Sequence, residues 1–195
     1  MIGHTNLEDQ LDVDFHHARR KAVLSRLTAR LQGECGRLRS FEEVRRALRA
    51  SGGSLPRRRV VEVSKVVGSV GRFRDFSRDF LPARPVSVDK WKRVDRAFHR
   101  GVDLPPVELY RIGEDYYVQD GNHRVSVARY QGIEMIEAVV RELSPHPPED
   151  VGPVDRGPCD PLRSSKERRR PGSYSRSRAA RFLARHGLKR FKERD

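Results

Sequence analysis

Apolar positions recur with a helical rhythm in the first part of the chain and with a strand rhythm after it. Phe15, Ala18, Leu24, Leu27 and Leu31 return at spacings of three, four and near-multiples of 3.6, so residues 12–31 are expected to form a helix that turns this stripe inward and stops at Gly33. A second helix has a stronger start signal. Ser40 is followed three residues later by Glu43, a capping box, and Phe41, Val44 and Leu48 supply the apolar stripe. Ser51-Gly52-Gly53-Ser54 ends it as a hinge. Residues 1–55 thus read as a helical arm for packing or dimerisation, with a helix-turn-helix as the alternative.

Beyond Arg59 the residues become β-branched. Val60, Val61 and Val63 suggest a first strand with Val66 and Val67 at its end, and Phe73, Phe76 and Phe80 are expected to pack against the sheet before Pro82. A helix over Ser87–His99 places Trp91, Val94 and Phe98 on one face and Lys90, Lys92, Arg93 and Arg96 on the other. Val107–Arg111 and Tyr116–Val118 flank Gly113-Glu114-Asp115 as a hairpin. Asp120-Gly121 breaks the second strand, and Asn122 is placed to cap a helix that runs to Gly132. Ile133–Glu142 forms a last strand, with Ile136, Ala138 and Val140 on one face and Met135 and Val139 on the other, both expected to be covered. The reading is α+β: a small mixed-sheet domain over residues 56–143. Residues 144–195 open with a proline-containing linker and continue as a polar tail, partly disordered in isolation, in which Ser177–His186 is a short basic helix that orders on a partner.

Composition changes this picture in one respect. The chain has 195 residues, 36% hydrophobic and 35% charged, enough for one modest core, and its net charge of +14 is unevenly spread. Residues 151–195 carry fourteen Lys or Arg against five Asp or Glu, a net of +9 that leaves +5 for the rest. Such a tail suits a polyanion, whether DNA, RNA or an anionic membrane surface; a nucleic-acid partner is the expectation, with plain solubility as the alternative. Cys35 and Cys159 are far apart in unlike contexts, and they suggest neither a disulfide framework nor a closed zinc site. No metal site is expected, since His16 and His17 are adjacent and point apart on a helix. No apolar run approaches a membrane span, and the acidic, His-containing N-terminus is unlike a signal peptide, so a cytoplasmic protein is expected.

Chemistry concentrates in Asp120-Gly121-Asn122-His123-Arg124. A strand that ends, a glycine turn and a helix start leave unpaired amides pointing outward, which suits a phosphate. Arg124 can grip a phosphate or carboxylate bidentately, His123 can donate to a phosphoryl oxygen or shuttle a proton, and Asp120 can orient His123, hold a cation or close the turn. Asp120 and His123 are therefore the candidate catalytic pair. Gly68-Ser69-Val70-Gly71-Arg72 is a second anion cradle, although no Walker-type Gly-Lys-Ser/Thr follows.

Leu104-Pro105-Pro106-Val107, the hairpin ending in Tyr117-Val118, the Asp120–Arg124 run and the helix Val125–Tyr130 together resemble the ParB/sulfiredoxin-like superfamily over about residues 60–142. In ParB proteins the corresponding turn, Gly-Glu-Arg-Arg, helps bind the phosphates of cytidine triphosphate, and an arginine-ended motif after the first strand does so from the other side. By position the resemblance implies Gly121, Asn122, His123 and Arg124 on one side and Gly68, Ser69, Gly71 and Arg72 on the other. It implies CTP, or ATP or ADP with Mg2+, as the ligand. Sulfiredoxins carry a cysteine where this chain has Asn122, so sulfinic-acid reduction is not implied. ParB-like free-serine kinases match Asp-Gly-x-His-Arg more closely, but their catalytic glutamate after the first strand has no counterpart in Gly68–Arg72, and Glu62 and Asp75 are distant candidates. The sequence therefore points to a ParB-like nucleotide- or phosphate-binding protein with a nucleic-acid-binding tail. A small-molecule kinase and a non-catalytic scaffold are the alternatives, with a homodimer through the N-terminal helices as a further expectation.

Overall fold

The strand-forming residues build one six-stranded mixed sheet with helices on both faces. The computed structural model describes residues 6–84 and 88–146. The basic segment 151–195 and the expected helix at 177–186 lie outside the described residues. In chain order the elements are α1 (Leu7–Leu31), β1 (Arg39–Ser40), α2 (Phe41–Ala47), β2 (Arg57–Glu62), a 3-10 turn (Val63–Lys65), β3 (Val66–Ser69), α3 (Val88–His99), β4 (Val107–Ile112), β5 (Asp115–Asp120), α4 (Asn122–Gln131) and β6 (Met135–Leu143).

Across the sheet the order is β1-β3-β5-β4-β6-β2. The expected hairpin is present as the antiparallel pair β4 and β5, and α4 is the crossover that returns the chain to β6, parallel to β4. The valine run at 60–67 is not one strand. The 3-10 turn divides it, sending β2 antiparallel to β6 at one edge and β3 between β1 and β5 near the other. Valine periodicity alone does not register this break, because Val63 is buried inside the turn as it would be in a strand.

Alternation along the central strands assigns the two faces. Val66 and Val118 join Phe76, Phe80, Val125 and Ala128 in one core, whereas their neighbours Val67 and Tyr117 join Phe41 and Val44 of α2 in another. All four residues of β3 are accordingly buried. A third core lies between helices, where Phe15, Ala18 and Ala22 of α1 meet Trp91 of α3 and Val127 and Tyr130 of α4. Residues 7–50, grouped from the sequence as an arm, are thus joined to the 56–143 segment by β1 and by two shared cores.

Two expectations about faces require correction. Helix α1 buries Leu11, Phe15, Ala18, Ala22 and Ala29, while Leu24, Leu27 and Leu31 are 61%, 54% and 87% exposed. Its inward face is lined by alanines, whose small side chains permit close packing but stand out weakly in a hydropathy pattern. On β6, Ala138 and Val140 are buried as expected but Met135 is exposed, so that strand end is covered on one face only. Cys35, for which the sequence suggested no bridge, is disulfide-bonded.

Candidate functional site

Strand pairing brings the two glycine-plus-arginine segments together. β3 and β5 are adjacent and parallel, with Gly68 opposite Tyr117 and Ser69 opposite Val118, so the chain leaves both strands at the same end of the sheet. The Val70 amide continues the ladder by donating to the Val118 carbonyl at 3.0 Å. From there one segment runs through Gly71 to Arg72, and the other runs through Asp120 and Gly121 into α4.

Gly121 makes the second turn feasible. Its φ of +96° lies in the left-handed region, and a Cβ there would stand 2.6 Å from Val107 Cγ1. Gly121, not Asn122, is the cap residue of α4, and it offers no side chain to the helix amides. The first intrahelical bond runs from the Val125 amide to the Gly121 carbonyl at 3.0 Å, leaving the amides of Asn122, His123 and Arg124 without an intrahelical acceptor. The same end carries two orphaned side-chain atoms. Asn122 Oδ1 and His123 Nε2 are buried and have no hydrogen-bond partner among the described residues.

His123 is held neutral. Burial, then the positive charges of Arg72 and Lys90, lowers its pKa to about 4, against weaker opposition from Asp75 and Asp120. Its ring stands edge-on to Phe76 with centroids 5.8 Å apart. At neutral pH the uncharged imidazole offers one hydrogen-bond donor and one acceptor. Lys90, read from the sequence only as part of a solvated helix face, supplies part of the positive field here.

The remaining candidates serve the fold in identifiable ways. Arg124, with its side chain 13% exposed, donates to the Pro105 and Pro106 carbonyls and pairs with Asp120, so its guanidinium ties the approach to β4 onto the start of α4. Asp120 is thereby committed to Arg124, and no hydrogen bond joins it to His123. Gly68 sits inside the sheet, where a Cβ would come within 2.5 Å of both the Arg39 carbonyl and the Tyr117 ring. Ser69 is fully buried, and its Oγ accepts from the Arg72 amide at 3.2 Å to shape the turn. Gly71 is exposed with open space around it, and Arg72 lies 3.8 Å from Asp75. The α4 amides, Asn122 and His123 lie at the amino end of α4, and Arg72 and Lys90 add positive charge to the surroundings of His123. Glu62 lies on edge strand β2 with Lys65 at 3.0 Å, away from this group. A separate groove of about 580 Å³, lined by residues including Phe41, Arg45, Tyr110 and Arg141, includes none of these side chains.

Comparison with known proteins gives one match, among solved structures. No family model matches the chain, and no curated protein matches it. Among solved structures, the chain is similar to the crystal structure of sulfiredoxin from Arabidopsis thaliana. The match has 17% identity and a TM-score of 0.36, and covers 46% of this chain and 89% of that one. At this similarity nothing about chemistry transfers. Among the described residues no helix is long and apolar enough to cross a membrane.

Proposed function

We propose that the amino end of α4 and the Gly71–Arg72 turn bind a phosphate-bearing ligand, a nucleotide such as CTP, ATP or ADP with Mg2+, in a ParB-like manner. The observation that carries this reading is the uncapped α4 terminus with Asn122 Oδ1 and His123 Nε2 buried and unpartnered beside it. Buried polar atoms are ordinarily satisfied, so an orphaned pair at a helix amino end marks a place where a ligand completes the bonding. Phosphoryl oxygens accept from the free amides and from neutral His123, and the field of Arg72 and Lys90 favours the negative charge. Asn122 meets a hydroxyl or amine donor on the same ligand, or donates through its amide nitrogen in the flipped orientation. Mg2+ fits as an ion that arrives on the phosphates, because Asp120 already pairs with Arg124 and Asp75 lies against Arg72.

Calorimetric titration of the full chain with CTP, ATP and ADP plus Mg2+ tests this, alongside Asn122→Ala and Arg72→Ala. Saturable binding weakened in both variants supports the site. No binding by any of the three leaves the fold as a scaffold.

Two partner readings accompany the proposal. The +9 segment 151–195 associates with nucleic acid through phosphates, which makes its affinity fall steeply as salt rises. A second copy of the chain meets the outward stripe of α1, where Val13, Leu24, Leu27 and Leu31 are exposed. A phosphotransferase reading draws on Asp75, whose charge reaches His123 and which is the nearest thing here to the missing catalytic acid. Release of ADP in the presence of a small hydroxylated acceptor, lost in Asp75→Asn, is its signature.

A further inference from the structure

A second cluster of chemistry-bearing side chains lies where α1, α3 and α4 meet, apart from the phosphate site. Asp14 comes from α1, and Asp95 and His99 lie one turn apart on α3. One ligand atom from each, a carboxylate oxygen from either aspartate and a ring nitrogen from the histidine, all fall within 4.8 Å of one another. The two aspartate side chains are 4% and 0% exposed, whereas His99 is 29% exposed and opens the cluster to solvent.

Each carboxylate is held by its other oxygen. Asp14 Oδ1 accepts from the Tyr130 hydroxyl at 2.7 Å, and Asp95 Oδ1 accepts from the Gln131 amide at 2.8 Å, both donors standing on α4. Asp14 Oδ2 and Asp95 Oδ2 are left facing His99 Nε2, at 3.2 Å and 3.7 Å. Asp95 Oδ2 is buried without a hydrogen-bond partner among the described residues.

The distances suit a small divalent ion. Ligands about 2.0–2.1 Å from a tetrahedral centre lie roughly 3.3 Å from one another, which the two measured separations bracket. Donors that fix the second oxygen of each carboxylate are the usual outer support of a metal site. We propose that Asp14, Asp95 and His99 bind a divalent first-row transition ion, Zn2+ or one of its neighbours, which fastens α1 to α3. The mixed oxygen and nitrogen donors favour such an ion over Mg2+, which prefers oxygen alone and keeps its water. A fourth position on the His99 side belongs to water.

The test uses the full chain treated with chelator, then titrated calorimetrically with Zn2+, Co2+ and Mg2+, with thermal melting followed in parallel. The expected result is one equivalent of Zn2+ or Co2+ bound, visible absorption from bound Co2+, a raised melting temperature, and much weaker binding of Mg2+. His99→Gln and Asp95→Asn should lose that equivalent. Tyr130→Phe, which removes only the hydroxyl holding Asp14, should weaken it about 10- to 100-fold. A His16→Ala/His17→Ala double variant should keep it. Should Asp95→Asn fail to fold, the half-exposed His99→Gln decides the matter alone. Absence of binding overturns the proposal and leaves the cluster as contacts of His99 with the two carboxylates. So does binding that survives His99→Gln, is lost with His16 and His17, or is matched by Mg2+.

Discussion

His123 stands edge-on to Phe76, ring centroids 5.8 Å apart, and this apolar contact is part of the burial that keeps its imidazole neutral. The folded pKa of about 4 lies below the roughly 6.5 of an unfolded chain. Between those values the unfolded state takes up the proton, so the stability tied to neutral His123 is complete above about pH 6.5 and is lost as pH falls towards 4. His123→Gln should flatten that part of the stability curve. NMR titration of the ring should give the low pKa directly, and saturation with a nucleotide should move it upward, because the bound negative charge favours the imidazolium.

Gly121 and Gly132 both adopt positive φ, +96° and +74°, but only Gly121 is crowded. Gly132→Ala meets nothing within 4 Å and should cost about 1–2 kcal/mol from backbone strain alone. Gly121→Ala adds a collision with Val107 and should cost about 2–5 kcal/mol. Urea melts of the two variants check the ordering.

Arg124 and Arg72 should separate stability from binding. Arg124→Ala removes charge-assisted bonds to Asp120 and the Pro105 and Pro106 carbonyls, so it should lower stability by about 2–3 kcal/mol whether or not ligand is present. Arg72→Ala, which touches a surface ion pair, should change stability by less than about 1 kcal/mol while weakening nucleotide binding. Calorimetry and thermal melting of the same two preparations give both readouts.

Trp91, the chain's single tryptophan, is fully buried and donates from Nε1 to Ser126 Oγ at 3.0 Å. Ser126→Ala leaves that buried donor unpaired and should cost about 1–3 kcal/mol. Tryptophan fluorescence reports the change, since unfolding moves the indole from an apolar site to water.

The parts of the fold legible in the sequence were those in which one residue type reports one local event. The Ser40 cap accepts from the Glu43 amide at 3.4 Å, the 113–115 turn closes a hairpin, and Trp91 points inward, all as the pattern indicates. The α1 face was read wrongly because three leucines outweigh three alanines in hydropathy, while packing against α3 and α4 selects for size. In the candidate site, the Asp120–Arg124 run gave the strand-to-helix junction but not the contacts its side chains make. Arg124 and Gly68 look like phosphate ligands in a linear motif, yet their surroundings across the sheet give them structural work. Lys90, and the meeting of Asp14 with Asp95 and His99, depend on contacts between elements distant in sequence, which no local spacing records.

The edges of the sheet constrain how this molecule meets others. At one side β1 is only two residues long, and at the other β2 presents Arg57, Arg58 and Arg59 to solvent. A foreign strand finds too little backbone on the first edge and a line of positive charge on the second, the two devices that discourage strand addition. Self-propagating stacking through the sheet is disfavoured at both ends. Any association of the described residues is therefore directed to helix faces, loops and side-chain sites, where recognition depends on particular groups.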